Sequence, residues 1–141
     1  MTQAEIGRDD RIMAAIAHAC AIMLGMGVIG AIVIWATQKD RSRYLAFQAL
    51  QATVYQIVGI AATMLGWFCW MAIYFASFIP LMAAADRGGE PPAFFWFSLL
   101  LMLAPMAFTG LWILGGLWGA IRCLSGHNFK YPIIGNWLEQ K

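Results

Sequence analysis

Few side chains in this sequence are of types that do chemistry. Its histidines are His18 and His127, and its cysteines are Cys20, Cys69 and Cys123. His18 lies in an apolar segment, where a histidine can ligate a haem or pigment or form a hydrogen bond between helices. The cysteines are far apart and show no metal-ligand spacing. The sequence also lacks a phosphate-binding loop, paired carboxylates and a Ser–His–Asp arrangement. We therefore predict no enzyme and no cofactor, with His18 as a candidate cofactor ligand.

The composition indicates where these side chains must be held. Hydrophobic residues make up 62% of the chain and charged residues 11%, whereas soluble domains average about 45–50% and about 25%. A chain of 141 residues forms one domain at most and cannot enclose this much apolar surface, so lipid or other membrane proteins must cover the rest. The net charge of +2 gives no reason to expect a nucleic acid partner.

Charged residues divide the chain into three hydrophobic segments, at 12–36, 44–85 and 93–121, followed by an interfacial tail at 125–141. A bilayer core of about 30 Å needs roughly 20 apolar residues as a helix. The sequence therefore predicts a single all-α integral membrane domain with these three helical segments. The first segment contains Gly25, Gly27 and Gly30, and it either spans once or re-enters as two half-helices.

The second segment is too long for one crossing, because a straight helix over 44–85 would measure about 63 Å. Its first three turns form an amphipathic lead-in, and the rest crosses the membrane, with a hairpin turn near Gly66 as the alternative. The residues predicted to make helix packing or partner contacts lie on one face of this helix or form a small-xxx-small pair in the third segment. They are Gln48, Gln51, Tyr55, Gly59, Gly66, Gly115 and Gly119.

The tail after Arg122 is too short and too polar to cross the membrane, yet it is too apolar to extend freely into water. We expect it to fold back along the cytoplasmic interface, with Tyr131 and Trp137 as anchors at headgroup depth. Ile133 and Ile134 are expected to pack near Phe47.

The distribution of Lys and Arg predicts a multi-pass protein of the inner cell membrane with a cytoplasmic C-terminus. Three full crossings would place six Lys and Arg inside and three outside. A re-entrant first segment would place eight inside and only Arg87 outside. The rule therefore favours the re-entrant form, and in both forms the Asp86–Pro92 loop is external.

Three blocks of the sequence resemble a bacterial family of unknown function related to the membrane component of the chloroplast inner-envelope protein import (Tic) machinery. The blocks are Asp10–His18, Gly30–Ala52 and Phe129–Gly135. The resemblance implies a small helical membrane protein without an established activity. The family often has His where this chain has Gln48, so any metal-binding role of that histidine is absent here.

Three function classes follow. The first is a non-catalytic small subunit that packs against a larger membrane complex, for example a respiratory or photosynthetic one. The second is a transport or protein-translocation component, which the resemblance to the import machinery implies. The third is a haem- or pigment-binding protein that uses His18.

Overall fold

The computed structural model describes residues 6–139, apart from the side chains of residues 136, 137 and 139. Within that range every regular element is a helix, which confirms the all-α prediction. The helices are α1 (Arg8–Ala19), a 3-10 segment (Cys20–Met26), α2 (Gly27–Gln38), α3 (Arg43–Ala85), α4 (Ala93–Leu100), α5 (Leu103–Leu124) and α6 (Ile134–Glu139). Three helical stretches are long and apolar enough to cross a membrane, namely Arg8–Gln38, Arg43–Ala85 and Ala93–Leu124. The chain is therefore a helical integral membrane protein.

The first of these stretches reverses direction instead of running straight. In a straight helix, Ala17 and Ala31 would lie about 21 Å apart at 1.5 Å per residue. In the structure both are fully buried in one cluster. At the open end, Ser42 donates a hydrogen bond of 2.7 Å to Asp10, 32 residues away. Thus α1 and α2 form a helical hairpin with both ends on one side, as the re-entrant alternative predicts.

The reversal depends on two neighbouring positions. Leu24 has φ 47° and ψ −130°, a conformation that costs a non-glycine residue about 1–3 kcal/mol. Gly27 begins α2 directly against the carbonyl of Cys20, where a Cβ atom would overlap the carbonyl oxygen. Glycine at 27 therefore allows the two arms of the hairpin to meet.

The second hydrophobic stretch is the single helix α3, so the alternative of a hairpin turn near Gly66 is wrong. The third stretch is interrupted at residues 101–102, between α4 and α5. Pro105 lacks the N–H that would bond the carbonyl of Leu101, which explains why the helix breaks there.

The chain divides into two compact units, which are residues 1–60 with 112–141 and residues 61–111. In the second unit, the fully buried hydroxyl of Ser98 donates to that of Ser77 at 3.0 Å. The indole of Trp70 donates to the Ser98 carbonyl at 2.9 Å. Aromatic rings surround this contact, and Trp70 stacks on Tyr74 with centroids 5.3 Å apart. This unit is thus a helix pair held by close packing and few hydrogen bonds.

In the first unit, α5 ends at Leu124, and Gly126, two residues further on, has φ 77°. A left-handed glycine just after a helix ends it and turns the chain. The following residues fold back against α1 and α3.

Candidate functional site

The interior of the first unit holds a cluster of polar side chains, which we call the polar cluster. Its members come from three helices and the tail, and each is at most 7% exposed. They are His18 of α1, Gln48 and Gln51 of α3, Cys123 of α5 and Tyr131 of the tail. Buried polar groups are costly without hydrogen bonds, so the pairing of these groups decides what the cluster can do.

The amide of Gln48 lies at the centre of the cluster. Its nitrogen donates to the Phe129 carbonyl and to Asn128 Oδ1, both at 2.9 Å. A backbone carbonyl can only accept, which fixes the orientation of the amide. The Gln48 oxygen therefore accepts from His18 Nε2 at 3.1 Å and from the Cys123 thiol at 3.5 Å. All the hydrogen-bonding groups of this side chain are used within the protein.

The orientation of Gln48 also sets the tautomer of His18. Because Nε2 must carry the proton that Gln48 accepts, a neutral imidazole has Nδ1 free to accept. The Tyr131 hydroxyl lies 3.2 Å from Nδ1 and is placed to donate to it. Both ring nitrogens of His18 are thus engaged, and a haem or pigment could bind either one only after a hydrogen bond is broken.

Gln51 holds the backbone of the tail. Its side-chain nitrogen donates to the Phe129 carbonyl at 3.2 Å, and its oxygen accepts from the Tyr131 N–H at 3.3 Å. This pair of bonds resembles the pairing of two strands, with an amide side chain in place of one backbone. Gln51 therefore provides the acceptor for the Tyr131 N–H and shares the Phe129 carbonyl with Gln48.

The Tyr131 side chain, predicted as an anchor at headgroup depth, is buried within the first unit. Its ring stacks on Tyr55 with centroids 4.0 Å apart and an interplanar angle of 2°. Burial, with smaller contributions from Tyr55 and Cys123, raises the pKa of the Tyr131 phenol well above its usual value. The phenol therefore remains a hydrogen-bond donor. It belongs in the core because Gln51 and His18 satisfy its polar groups there.

The predicted packing of the isoleucines is also not observed for Ile133, whose side chain is 84% exposed. Ile134 begins α6 and is partly buried. The Trp137 side chain, predicted as an interfacial anchor, lies outside the described residues.

The predicted glycines make room for this arrangement. A Cβ atom at Gly119 would lie 3.0 Å from the Tyr131 hydroxyl and 3.1 Å from His18 Nδ1, and one at Gly115 would overlap the Tyr55 hydroxyl. Gly59 has the same relation to the indole of Trp112. The glycine pair in α5 thus packs against α1, α3 and the tail. Gly66 lies in the second unit, where a Cβ atom would make ordinary contact with Pro105 at 3.6 Å.

The sequence analysis did not identify Gln56, which contacts both arms of the hairpin. It is 3% exposed, and its nitrogen donates to the Ala17 carbonyl at 3.0 Å. Its oxygen has no hydrogen-bond partner and faces Gly27 at the start of α2. The available signal was a third glutamine, five residues after Gln51, in an otherwise apolar helix.

The sequence also did not predict that His18, Cys123 and Asn128 would join Gln48. Among the described side chains, no three of His, Cys, Asp and Glu lie close enough to hold a metal ion. Chemically, the polar cluster offers a neutral histidine, a phenol, a thiol and two amides that are hydrogen-bonded to one another or to the backbone. Such a site fixes the positions of α1, α3, α5 and the tail.

The fold and the polar cluster define a small multi-pass helical membrane protein whose polar interior locks a hairpin and a tail onto two longer helices. The chain belongs to the magnetosome magnetite crystal formation protein family (MamF/MmsF), whose family model matches residues 9–138. This match corrects the resemblance to the Tic import machinery. The three blocks that suggested it all lie within the matched range, and they are hydrophobic or turn motifs of low individual specificity. No curated protein and no solved structure matches the chain.

Proposed function

We propose that this chain is a non-catalytic membrane subunit that supports magnetite crystal formation in magnetosomes by packing with other membrane proteins. Membership of the magnetosome family gives the process. The observation that carries the non-catalytic role is the pairing of His18, Gln48, Cys123 and Tyr131. Their reactive groups are buried and hydrogen-bonded within the chain, so they are unavailable to a substrate.

The test is complementation in a magnetite-forming bacterium that lacks its own members of this family. Crystal number and size would be measured by electron microscopy. Restored crystals are expected with the unmodified chain, and also with His18→Gln and Cys123→Ser, which keep hydrogen-bonding groups but remove the imidazole and the thiol. If either variant accumulated normally in the membrane but restored no crystals, the non-catalytic proposal would be wrong.

Native mass spectrometry of the protein extracted in mild detergent would test the subunit role separately. The expected result is a stoichiometric complex with other membrane proteins, and an isolated monomer under all mild conditions would contradict it.

We also propose that the C-terminus is cytoplasmic and the Asp86–Pro92 loop is on the opposite face. The hairpin supports this orientation, because it brings Arg8 and Arg11 to the same side as Lys39 and Arg41, and cytoplasmic segments are rich in Lys and Arg. A membrane-impermeant maleimide added to intact cells should label Glu90→Cys and leave Asp40→Cys unlabelled. Labelling of Asp40→Cys from outside would reverse the orientation.

A further inference from the structure

The α1–α2 hairpin is attached to the membrane in a way that differs from a spanning helix. The arm formed by α2 has 12 residues and is about 18 Å long at 1.5 Å per residue. A bilayer core measures about 30 Å, so the arm reaches little beyond its midplane. The hairpin therefore cannot cross.

Polar groups fix the open end of the hairpin at the membrane surface. Charged residues lie at the start of α1 and just after the end of α2, and the Ser42 hydroxyl donates a hydrogen bond to Asp10. An open cavity of about 350 Å³ lies beside them, lined by Gly7, Arg8, Asp9, Asp10, Arg41 and Ser42. Burial of these charges in hydrocarbon is costly, so this end remains among the headgroups.

The closed end of the hairpin is apolar and uncovered. Met23 and Met26 are 65% and 66% exposed, and Ile22, Leu24 and Ile29 are each more than half exposed. Side chains of this kind at this depth fit lipid acyl chains. Gln56 and the polar cluster bond α1 to α3, and Ala31 of α2 is buried in one cluster with Ala49 and Ala52 of α3. The hairpin therefore cannot fold flat onto the surface without losing those hydrogen bonds and that packing.

We infer that the hairpin acts as a wedge in one leaflet and that the protein prefers curved membrane whose convex side carries the open end of the hairpin. Two helices of about 10 Å diameter add roughly 160 Å² to the leaflet they enter. The hairpin adds no comparable cross-sectional area to the other leaflet, since it ends near the midplane of the bilayer. A convex leaflet has more area available per lipid at the depth of the headgroups, so it accommodates this asymmetry. The partner is thus a bilayer of defined curvature, and this inference does not depend on the role in crystal formation.

The experiment compares the two orientations of the same full-length protein. Asp40→Cys, at the exposed open end of the hairpin, is reconstituted into giant vesicles of phosphatidylcholine and phosphatidylglycerol. In one sample an impermeant fluorescent maleimide labels molecules with the open end outside. In the other, a colourless impermeant maleimide blocks those molecules, and a permeant fluorescent maleimide then labels the inward-facing ones. The unmodified chain, treated identically, corrects for labelling of native cysteines.

Narrow membrane tubes are then pulled outward from the vesicles, and the protein-to-lipid fluorescence ratio of the tube is divided by that of the vesicle. This quotient should be above one for outward-facing molecules and below one for inward-facing molecules. A quotient of one in both samples, or the same departure from one in both, would overturn the inference. Gly27→Ala, which forces the two arms of the hairpin apart at the Cys20 carbonyl, should bring both values towards one if the protein remains monodisperse. The sign difference between orientations tests the wedge even if this variant does not fold.

Discussion

The two units of the chain bury very different kinds of polar group. The first unit buries an imidazole, a thiol, three phenols, a threonine hydroxyl and three glutamine amides, and the second buries the hydroxyls of Ser77 and Ser98. Inside a bilayer there is little hydrophobic force that brings one helix to another, so helices associate through packing and hydrogen bonds. The second unit is built from long helices whose depth the bilayer itself can define. The first unit must also place a hairpin and a tail that do not cross, and directional hydrogen bonds supply that placement.

The largest loss of stability is expected when the central side chain of the polar cluster is removed. Gln48→Leu would leave the buried His18 Nε2 and the buried Cys123 thiol without their acceptor, while the Phe129 carbonyl keeps the Gln51 amide. Each buried orphan group costs about 1–3 kcal/mol, so we expect the free energy of unfolding to fall by on the order of 3 kcal/mol. Thermal or steric-trapping denaturation in detergent would measure it.

The matched control is Gln38→Leu, at the last residue of α2, where the side chain is partly exposed. It makes the same chemical change outside the cluster and should leave stability nearly unchanged. Equal losses for the two variants would show that Gln48 has no special structural role.

The second prediction concerns the reversal of the hairpin. Gly27→Ala places a methyl group against the Cys20 carbonyl and near the Gln56 amide, and the backbone must shift to accept it. Overpacking of this kind costs about 1–3 kcal/mol, so we expect a loss of about 2 kcal/mol in the same denaturation assay.

Gly25→Ala provides the control, because a Cβ atom at position 25 meets nothing within 4 Å. It should be neutral or slightly stabilising. A destabilisation by Gly25→Ala as large as that by Gly27→Ala would contradict this explanation. It would mean that alanine opposes the reversal by its high helix propensity, and not through the close contact at Cys20.

The difference between the units also explains which features the sequence could predict. The helical class and the three hydrophobic segments follow from the lengths of the uncharged stretches, because the bilayer imposes a length on each crossing. The re-entrant form was one of two alternatives, and the glycines alone could not decide between them. The burial of Ala17 and Ala31 in one cluster with Ala49 and Ala52 of α3 decides it.

The polar cluster was less predictable, because its members come from distant parts of the chain. Helical spacing placed Gln48, Gln51 and Tyr55 on one face of α3. It could not show that His18 and Tyr131 would meet that face, since the meeting requires both the hairpin and the turn at Gly126. The prediction for Tyr131 rests on the common position of tyrosines at headgroup depth, and it could not show that the ring would be buried on Tyr55.

The third prediction sharpens the contrast at the tail. Tyr131→Phe keeps the stack on Tyr55 and removes only the hydroxyl that donates to His18. A hydrogen bond of this kind contributes about 1 kcal/mol, so the tail should undock more often and trypsin should cleave faster after Lys130. The time course of cleavage in detergent, followed by mass spectrometry, measures the effect.

Tyr74→Phe in the second unit is the control and should not change cleavage after Lys130. The pH dependence provides another check. Because burial raises the pKa of Tyr131, its contribution to stability is fully present below the unfolded value of about 10 and is lost as the pH rises towards the folded value. The unmodified protein should therefore lose more stability above about pH 10 than Tyr131→Phe does, and identical pH profiles would contradict the assignment.

The smallest effect is expected in the second unit. Ser98→Ala removes a hydroxyl whose single proton is shared between the Ser77 hydroxyl and the Phe95 carbonyl. The Trp70 bond is made to the Ser98 backbone and survives. Hydrogen bonds between helices in membranes average about 0.6 kcal/mol, and the small alanine side chain preserves the close approach of the helices. We therefore expect a loss of about 0.6 kcal/mol.

The Ser125 hydroxyl donates to the Ile121 carbonyl, one turn back in the chain. Ser125→Ala therefore serves as the reference for losing a serine hydroxyl outside the helix pair. Ser98→Ala should be only slightly worse than this reference and far milder than Gln48→Leu. If Ser98→Ala were instead as damaging as Gln48→Leu, the second unit would also depend on directional bonds. The helix pair would then depend on hydrogen bonds even though the bilayer sets the depth of its helices. The two units would differ only in the residue types that form those bonds.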